Sequence, residues 1–500
     1  MEHKILFWID SDFSYFGLAY YLQKKTNADF FAIIDITNKT KNFFKTQKLV
    51  NFKETWFYFD HITKKQTKPD YNYLSAFENK YDLNLWELAT NERIFYRFND
   101  FYKFSTEEIL LILEQECRLF EKILDNVKPN FFITKETIQH KDQILYKMCK
   151  KIGVKILMLS QPGVGYKCII SSESRKFDST KKLDDIKNNG RSFEEMQTWL
   201  HSFSGYEQLK NLSSSFATSR YGKLKAAIQF LTSNNSNLKT HYTYYGRTKI
   251  RVLIHEMKSS LKKKFRQQFI NKNFLTELKY DEKFIYFPLA VEPERNLLIG
   301  TPYYTNQLEN IRHIVKSLPI DYKLYVKETP SQITRHWRRI SEYKDMMSIP
   351  NVRLLHPSVL PSEIYKKTSL VITIVGSSSL EAAFYKKPSI VFTEQAHSIL
   401  PSVYTIKSFD ELPKAIRISL NKKVNEEDLD RYISLFNENS FVFDQHGLHT
   451  KEHDYFFFGG HLIDVHISDS KMEHFLQTNK SEFEKLTNAF LKKLEHIIKD

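Results

Sequence analysis

A chain of 500 residues with 27% charged side chains has room for two to four domains of roughly 150 residues each. No apolar run approaches the roughly 20 residues of a membrane-spanning helix, which excludes an integral helical membrane protein. The net charge of +15 favours anionic partners, while the absence of a helix-turn-helix, zinc-finger or RNA-binding signature argues against nucleic acid.

The chain opens MEHKILFWIDSD, with no basic n-region, long apolar stretch or small-residue cleavage site, so no signal peptide is expected. Cys117, Cys149 and Cys168 have no close pair spacing and suit a reducing cytoplasm. Lys4–Ile9 reads as a strand. Asp10-Ser11-Asp12 follows, then a helix through Lys25 and a second strand at Phe30–Ile36. A carboxylate at such a strand end can serve as a general base, so Asp10 and Asp12 are catalytic candidates; a helix N-cap beside a solvated acid is the other reading. Residues 52–100 are aromatic and irregular, with no site apparent.

Ser105–Asn126 has helical spacing of Ile109, Leu110, Leu113, Cys117 and Phe120 behind an acid-rich start. Asn130–Thr134, Asp142–Ile152 and Val154–Leu159 continue a strand–helix–strand rhythm, the pattern of a doubly wound sheet. Lys135, Glu136 and His140 sit at a strand end and are candidates to meet an acceptor, or else form a solvated loop. QPGVGY at 161–166 is too short for a dinucleotide fingerprint.

Residues 171–218 read as polar loop with short helices. From Ser219 to Ile270 there are twelve Lys or Arg and one acid, Glu256. Ile250, Leu253, Ile254, Met257, Leu261 and Phe265 share one helical face, flanked by Lys258, Lys262, Lys263, Lys264 and Arg266. Such a helix either lies on an anionic membrane surface or packs between domains.

At Phe284–Pro288 the alternation resumes. It runs through Lys323–Val326, Arg353–Leu355, Leu370–Val375 and Ser389–Phe392, so a second α/β domain is expected. Gly376, Ser377, Ser378 and Ser379 form a polar turn between a buried strand and a helix. That is where open α/β sheets bind ligands, although an ordinary turn with a serine cap has the same sequence. Glu381 follows near the helix start, placed to accept from a ribose. Five of the 17 histidines fall in Phe441–His466. The spacing of His446, His449 and His453 matches neither a Cys-containing zinc site nor an HExxH helix, so no metal is expected. An amphipathic helix at Ser481–Ile498 closes the chain.

The runs YFPLAVEPER (286–295), LYVKETP (324–330) and VITIVGSSSLEAAFYKKPSIVF (371–392) resemble the capsule polysaccharide biosynthesis family of Kdo-transferase-like GT-B glycosyltransferases. KPNFFITKE (128–136) and GVKILML (153–159) fit its pattern as well. The resemblance implies an α/β, GT-B-like fold: two doubly wound Rossmann-like domains facing across a cleft, with a basic helical insertion and a C-terminal helical segment. The expected division is 1–168 on the acceptor side, 169–280 as the basic insertion, 281–410 for the nucleotide-sugar, and 411–500 packing back as an extension.

It further implies a nucleotide-sugar as substrate, with a CMP-linked acidic sugar favoured, and a glycan or lipid-linked acceptor. No bound cofactor is expected. Glu292, Glu294, Lys327, Glu328, the Gly376–Ser379 turn and Glu381 would face the donor, with Lys327 offsetting leaving-group charge. Thr329 stands where the family carries His and offers no titratable proton; His356 lies nearby in sequence. No Asp-x-Asp element sits at the donor loop, and Asp10-Ser11-Asp12 has that spacing in the other domain. The expected location is the cytoplasm, at the inner face of the membrane where residues 219–270 dock. A CDP-glycerol-type transferase, a nucleotide-sugar epimerase and a non-catalytic glycan-binding scaffold are the alternatives.

Overall fold

The computed structural model describes residues 3–64, 67–179, 181–202, 220–279, 281–329 and 338–499. Part of the polar 171–218 stretch, Ser219 and Pro330 lie outside them.

Two sheets organise the chain. The first contains β1 (Lys4–Ile9), β2 (Asp29–Ile34), β3 (Phe52–Phe57), β4 (Phe131–Lys135), β5 (Lys155–Ser160), β6 (Lys167–Ser171) and β13 (Phe441–Val442). Its order is β13-β6-β5-β4-β1-β2-β3. Strands β1 to β5 are parallel, and β6 and β13 add antiparallel edges. The second sheet contains β7 (Lys283–Pro288), β8 (Tyr322–Lys327), β9 (Val352–Leu355), β10 (Leu370–Thr373), β11 (Ser389–Val391) and β12 (Val403–Thr405). It is parallel throughout, in the order β12-β11-β10-β7-β8-β9.

Both sheets reverse direction of winding at one point, β1/β4 in the first and β7/β10 in the second. Doubly wound sheets open a crevice there, outside the carboxyl ends of the strands. The central strands are apolar on both faces because helices cover both, as in Leu6–Ile9 and Leu370–Ile372, all 2% exposed or less. The long helix Thr106–Val127 starts with a capping box in which Ser105 and Glu108 exchange hydrogen bonds.

The segment beyond β12 returns to the first domain. The closing helix Lys480–Lys499 lies on the Ser14–Leu22 helix, where Phe483 stacks on Tyr21 at 5.8 Å. Gly17 is required at this crossing, since a Cβ there would sit 2.1 Å from Phe483 Cε1.

The two domains meet at the carboxyl ends of their sheets. Arg295 Nε, after β7, donates to Thr137 O, after β4, at 3.0 Å. Ala396 N donates to Arg175 O at 2.9 Å. Arg97 Nη2 pairs with Glu292 Oε2 at 2.9 Å. The architecture is therefore α/β with two facing Rossmann-like domains, a GT-B-like plan.

The helix Lys249–Asn273 runs from one domain to the other. Arg247, just before it, stacks on Phe101, and Ile270 joins the core of the second domain. At 25 residues it spans about 38 Å. Among the described residues no helix is long and apolar enough to cross a membrane.

Candidate functional site

The first switch point gathers Asp10, Asp12, Lys135 and Glu136. Lys135 Nζ pairs with Asp10 Oδ2, and Asp10 Oδ1 accepts from Asp12 N at 2.9 Å. Asp12 Oδ1 accepts from Ser14 N at 3.1 Å, which tightens the turn into the first helix. Burial raises the Asp10 carboxyl above its ordinary range, against the pull of Lys135. Burial acts on Asp12 too, but Lys135, His449 and the bonds from Ser14 hold that carboxyl below the usual value. Burial also opposes the Lys135 ammonium, yet Asp10 and Asp12 keep its pKa above that of an ordinary lysine. One domain edge thus carries two acids of opposite bias beside one cation, a suitable arrangement for proton abstraction.

The helix Gln445–Phe456 covers this edge, bringing a residue that the sequence did not single out. Glu452, fully buried, accepts from Phe13 N through Oε2 at 3.0 Å. Burial and the Asp12 charge push its carboxyl far above the usual carboxylate range. Burial also lowers His453, to about 4.

Glu136 points away from this group. It pairs with Arg175 Nε at 3.0 Å and feels the charge of Arg295, which together hold it below the ordinary glutamate value against burial. His140 is wholly enclosed: Nδ1 lies 2.8 Å from Glu92 Oε2 and Nε2 lies 2.9 Å from Glu116 Oε1. Burial works against the imidazolium, but the two carboxylates raise its pKa to about 10. Tyr58 and Tyr242 complete this network, with hydroxyls 2.9 Å apart. His140 fastens the insertion to the first domain, and no face of it meets the crevice.

One strand from the second switch point, Lys327 ends β8 with its side chain buried, and among the described residues its ammonium has no hydrogen-bond partner. Burial lowers its pKa to about 8, against the opposing charges of Glu381 and Glu328. Glu381 accepts from Ser377 Oγ at 2.8 Å and from Tyr365 at 3.1 Å. Ser377 and Ser378 are half-buried, and Gly376 N donates to Thr373 Oγ1 at 3.1 Å. Ser379 differs from its neighbours. Its hydroxyl is buried between Gly376 O at 2.9 Å and His397 Nε2 at 2.6 Å, with His397 pushed by burial to about 4. Ser379 therefore braces the turn from inside.

Glu292 and Glu328 form a buried clamp around Arg338. Arg338 Nε donates to Glu328 Oε2 at 2.8 Å and Nη1 to Glu292 Oε1 at 2.9 Å; Tyr343 adds a bond to Glu328 Oε2 at 2.7 Å. Burial raises the Glu292 carboxyl, with Arg338 and Arg97 opposing. Glu294 is half-buried at the N-cap of the short Arg295–Leu298 helix. His356 Nδ1 bonds Ser358 Oγ at 2.6 Å and Nε2 bonds Asn271 Oδ1 at 3.1 Å; burial and the nearby Lys327 charge lower its pKa.

The structure thus ties Ser377 to Glu381, with Ser378 in the same turn, and places Lys327 within the field of Glu381. It brings Asp10, Asp12 and Lys135 together on the facing edge and commits Glu136, His140, Glu292, Glu328 and Ser379 to internal partners. Arg338 and Glu452 were not found from sequence, because neither lies in a motif or at a strand end.

A surface hollow of about 410 Å³ opens between Phe193, Gln197, Lys366 and Tyr385. Its Lys366 and Lys387 precede β10 and β11, at the amino ends of those strands.

No family model matches the chain, and no curated protein matches its sequence. Solved structures do match. The UDP-GlcNAc 2-epimerase of Methanocaldococcus jannaschii, in complex with UDP-GlcNAc and UDP, covers 88% of this chain and 100% of its own at 14% identity and a TM-score of 0.25. A beta Kdo 2,7 transferase from Thermosulfurimonas dismutans covers 70% and 87% at 12% identity, with a TM-score of 0.29. The N-terminal domain of Candida albicans trehalose-6-phosphate phosphatase covers 88% and 93% at 10% identity, also with a TM-score of 0.29. Likeness at these scores is too loose to assign a residue or a substrate to this chain.

Proposed function

We propose that the chain is a glycosyltransferase of surface or capsular polysaccharide assembly. It takes a sugar from a nucleotide donor, a CMP-linked acidic sugar such as Kdo being favoured, and passes it to a glycan or lipid-linked acceptor. The observation that carries this reading is Lys327, a buried side chain at the end of β8 whose ammonium makes no hydrogen bond among the described residues and lies within the field of Glu381, which holds the Ser377 turn.

An ammonium desolvated in this way interacts strongly with a phosphate. It would offset the charge that develops on a departing nucleotide, a form of electrostatic stabilisation. The Ser377 and Ser378 hydroxyls would steady the phosphate or sugar carboxylate. Glu381 has acceptor capacity beyond its two bonds and would take a ribose hydroxyl. On the facing edge Asp10, raised by burial, would take the proton of the acceptor hydroxyl while Lys135 holds it in place. Approach of the two domains would exclude water and limit donor hydrolysis. Thr329 supplies no titratable proton at its position; His356, within the field of Lys327, is the imidazole on that side.

The bridging helix supports docking at an anionic membrane. Ile250 is 72% exposed, Met257 70% and Phe265 63%, forming an apolar stripe bordered by Lys258, Lys262 and Lys264. Each basic residue near such a surface contributes about 1 kcal/mol, enough in sum for reversible binding.

Binding of CMP, CDP, UDP and GDP, followed by turnover of their sugars, tests the reading, with Lys327→Ala and Glu381→Ala beside the wild type. CMP binding that both substitutions abolish is the expected result. Preference for UDP or CDP would overturn the CMP assignment, and no nucleotide binding at all would overturn the transferase.

A further inference from the structure

The helix Gln445–Phe456 places His449, Glu452 and His453 on one face, at positions i, i+3 and i+4. One ligand-type atom from each lies within 4.8 Å of the other two. His449 and His453 have ring centroids 3.9 Å apart. Two further observations concern unused bonding capacity. His449 Nδ1 and Glu452 Oε1 are both buried and have no hydrogen-bond partner among the described residues. Glu452 is fully buried, and its other oxygen is fixed by Phe13 N. Buried polar atoms are rarely left unpaired, so two beside each other point to a missing partner.

We propose that His449, Glu452 and His453 bind a divalent cation of the zinc class. Two imidazoles and one carboxylate form the donor set that such ions prefer, whereas magnesium and calcium favour all-oxygen sites. Ligand atoms about 2.1 Å from a tetrahedral ion are roughly 3.4 Å apart, so modest side-chain rotation closes the site. Room for the His453 ring depends on Gly460, where a Cβ would lie 2.7 Å from Nδ1. Three ligands leave a coordination position open. The ion would sit against the Asp10–Asp12 loop, and Asp12 is the anionic group of that loop within the field of both histidines. The ion would therefore fix the covering helix to the Asp10–Asp12 loop and present its open position there, to Asp12 or to water. This site is independent of the transferase reading, because neither Lys327 nor the Ser377 turn takes part.

The test is titration of the full-length, chelator-treated protein with Zn²⁺ by calorimetry and with Co²⁺ by visible absorption. One equivalent bound in the micromolar range or tighter is expected, together with a rise in thermal midpoint. His449→Ala and Glu452→Gln should each weaken binding by about tenfold or more. His461→Ala with His466→Ala should leave the stoichiometry at one, which separates this site from scattered surface histidines. Failure of the wild type to take up either ion overturns the proposal, as does unchanged affinity in a folded His449→Ala. If that variant unfolds, the Co²⁺ spectrum of the wild type decides: bands of a nitrogen-ligated ion support the site, and their absence overturns it.

Discussion

Gly163 of the first domain and Ser377 of the second pack so closely that a Cβ on the glycine would lie 2.8 Å from Ser377 Cβ. The glycine has φ +87°, a conformation that side chains resist. Gly163→Ala should therefore cost about 1–2 kcal/mol from backbone strain alone and also push the Ser377 turn away. Urea unfolding would read the first effect. Weaker nucleotide binding, with any turnover lost mainly through KM, would read the second.

A donor phosphate held by Lys327, as proposed, should make nucleotide affinity depend on pH in a defined direction. Its ammonium, with a pKa lowered to about 8, is present below that pH and lost above it. Affinity should hold steady towards neutrality and fall by up to about tenfold per pH unit above 8, until the bound phosphate's own stabilisation of the ammonium is overcome. Lys327→Met should bind weakly at every pH, with a flat profile by calorimetry.

The clamp around Arg338 should be the more fragile part of the second domain. Removing the guanidinium leaves Glu292 and Glu328 buried and uncompensated, so Arg338→Ala should cost about 3–5 kcal/mol. Arg97→Ala removes only a partner that is 36% exposed and should cost about 1 kcal/mol or less. Chemical denaturation of the two variants side by side tests the contrast.

His140 gives the first domain a pH signature. Its pKa is raised from 6.5 to about 10, so the folded state keeps a proton that the unfolded chain releases first. The stabilisation is complete below pH 6.5 and is lost as pH rises towards 10, a span worth on the order of a few kcal/mol. His140→Gln should remove that decline in unfolding free energy above pH 6.5 and lower stability at neutral pH.

Vesicle sedimentation addresses the bridging helix. Replacing Lys258, Lys262 and Lys264 with Glu should abolish binding to vesicles rich in anionic lipid. Met257→Asp should weaken it by removing apolar contact. Equal binding to uncharged vesicles would refute an electrostatic dock.

Strands that are apolar on both faces were legible in the sequence, and β1, β4, β7 and β10 fix both switch points. β3 was hidden because Lys53 and Glu54 are exposed on an edge strand, which breaks the apolar run. β13 contributes only Phe441 and Val442, too short for any periodicity. Asp10, Asp12, Lys327 and the serine turn were singled out because strand ends are recognisable in sequence. The roles of Glu292 and Glu328 were not, since their common partner Arg338 follows a stretch with no motif. His449, Glu452 and His453 were considered only as a histidine spacing, and the intervening glutamate is what completes the set.

The return of the C-terminal segment to the first domain sets an order of events during synthesis. Strands β7 to β12 emerge as one uninterrupted run and can close their sheet while translation continues. The first domain, begun earlier, lacks its Gly17 lid until Phe483 and Phe490 have left the ribosome. Until those residues are made, its earliest helix would present an uncovered apolar face, the kind of exposure that favours aggregation. A truncation that removes Lys480–Lys499 would thus damage the part of the protein that was made first.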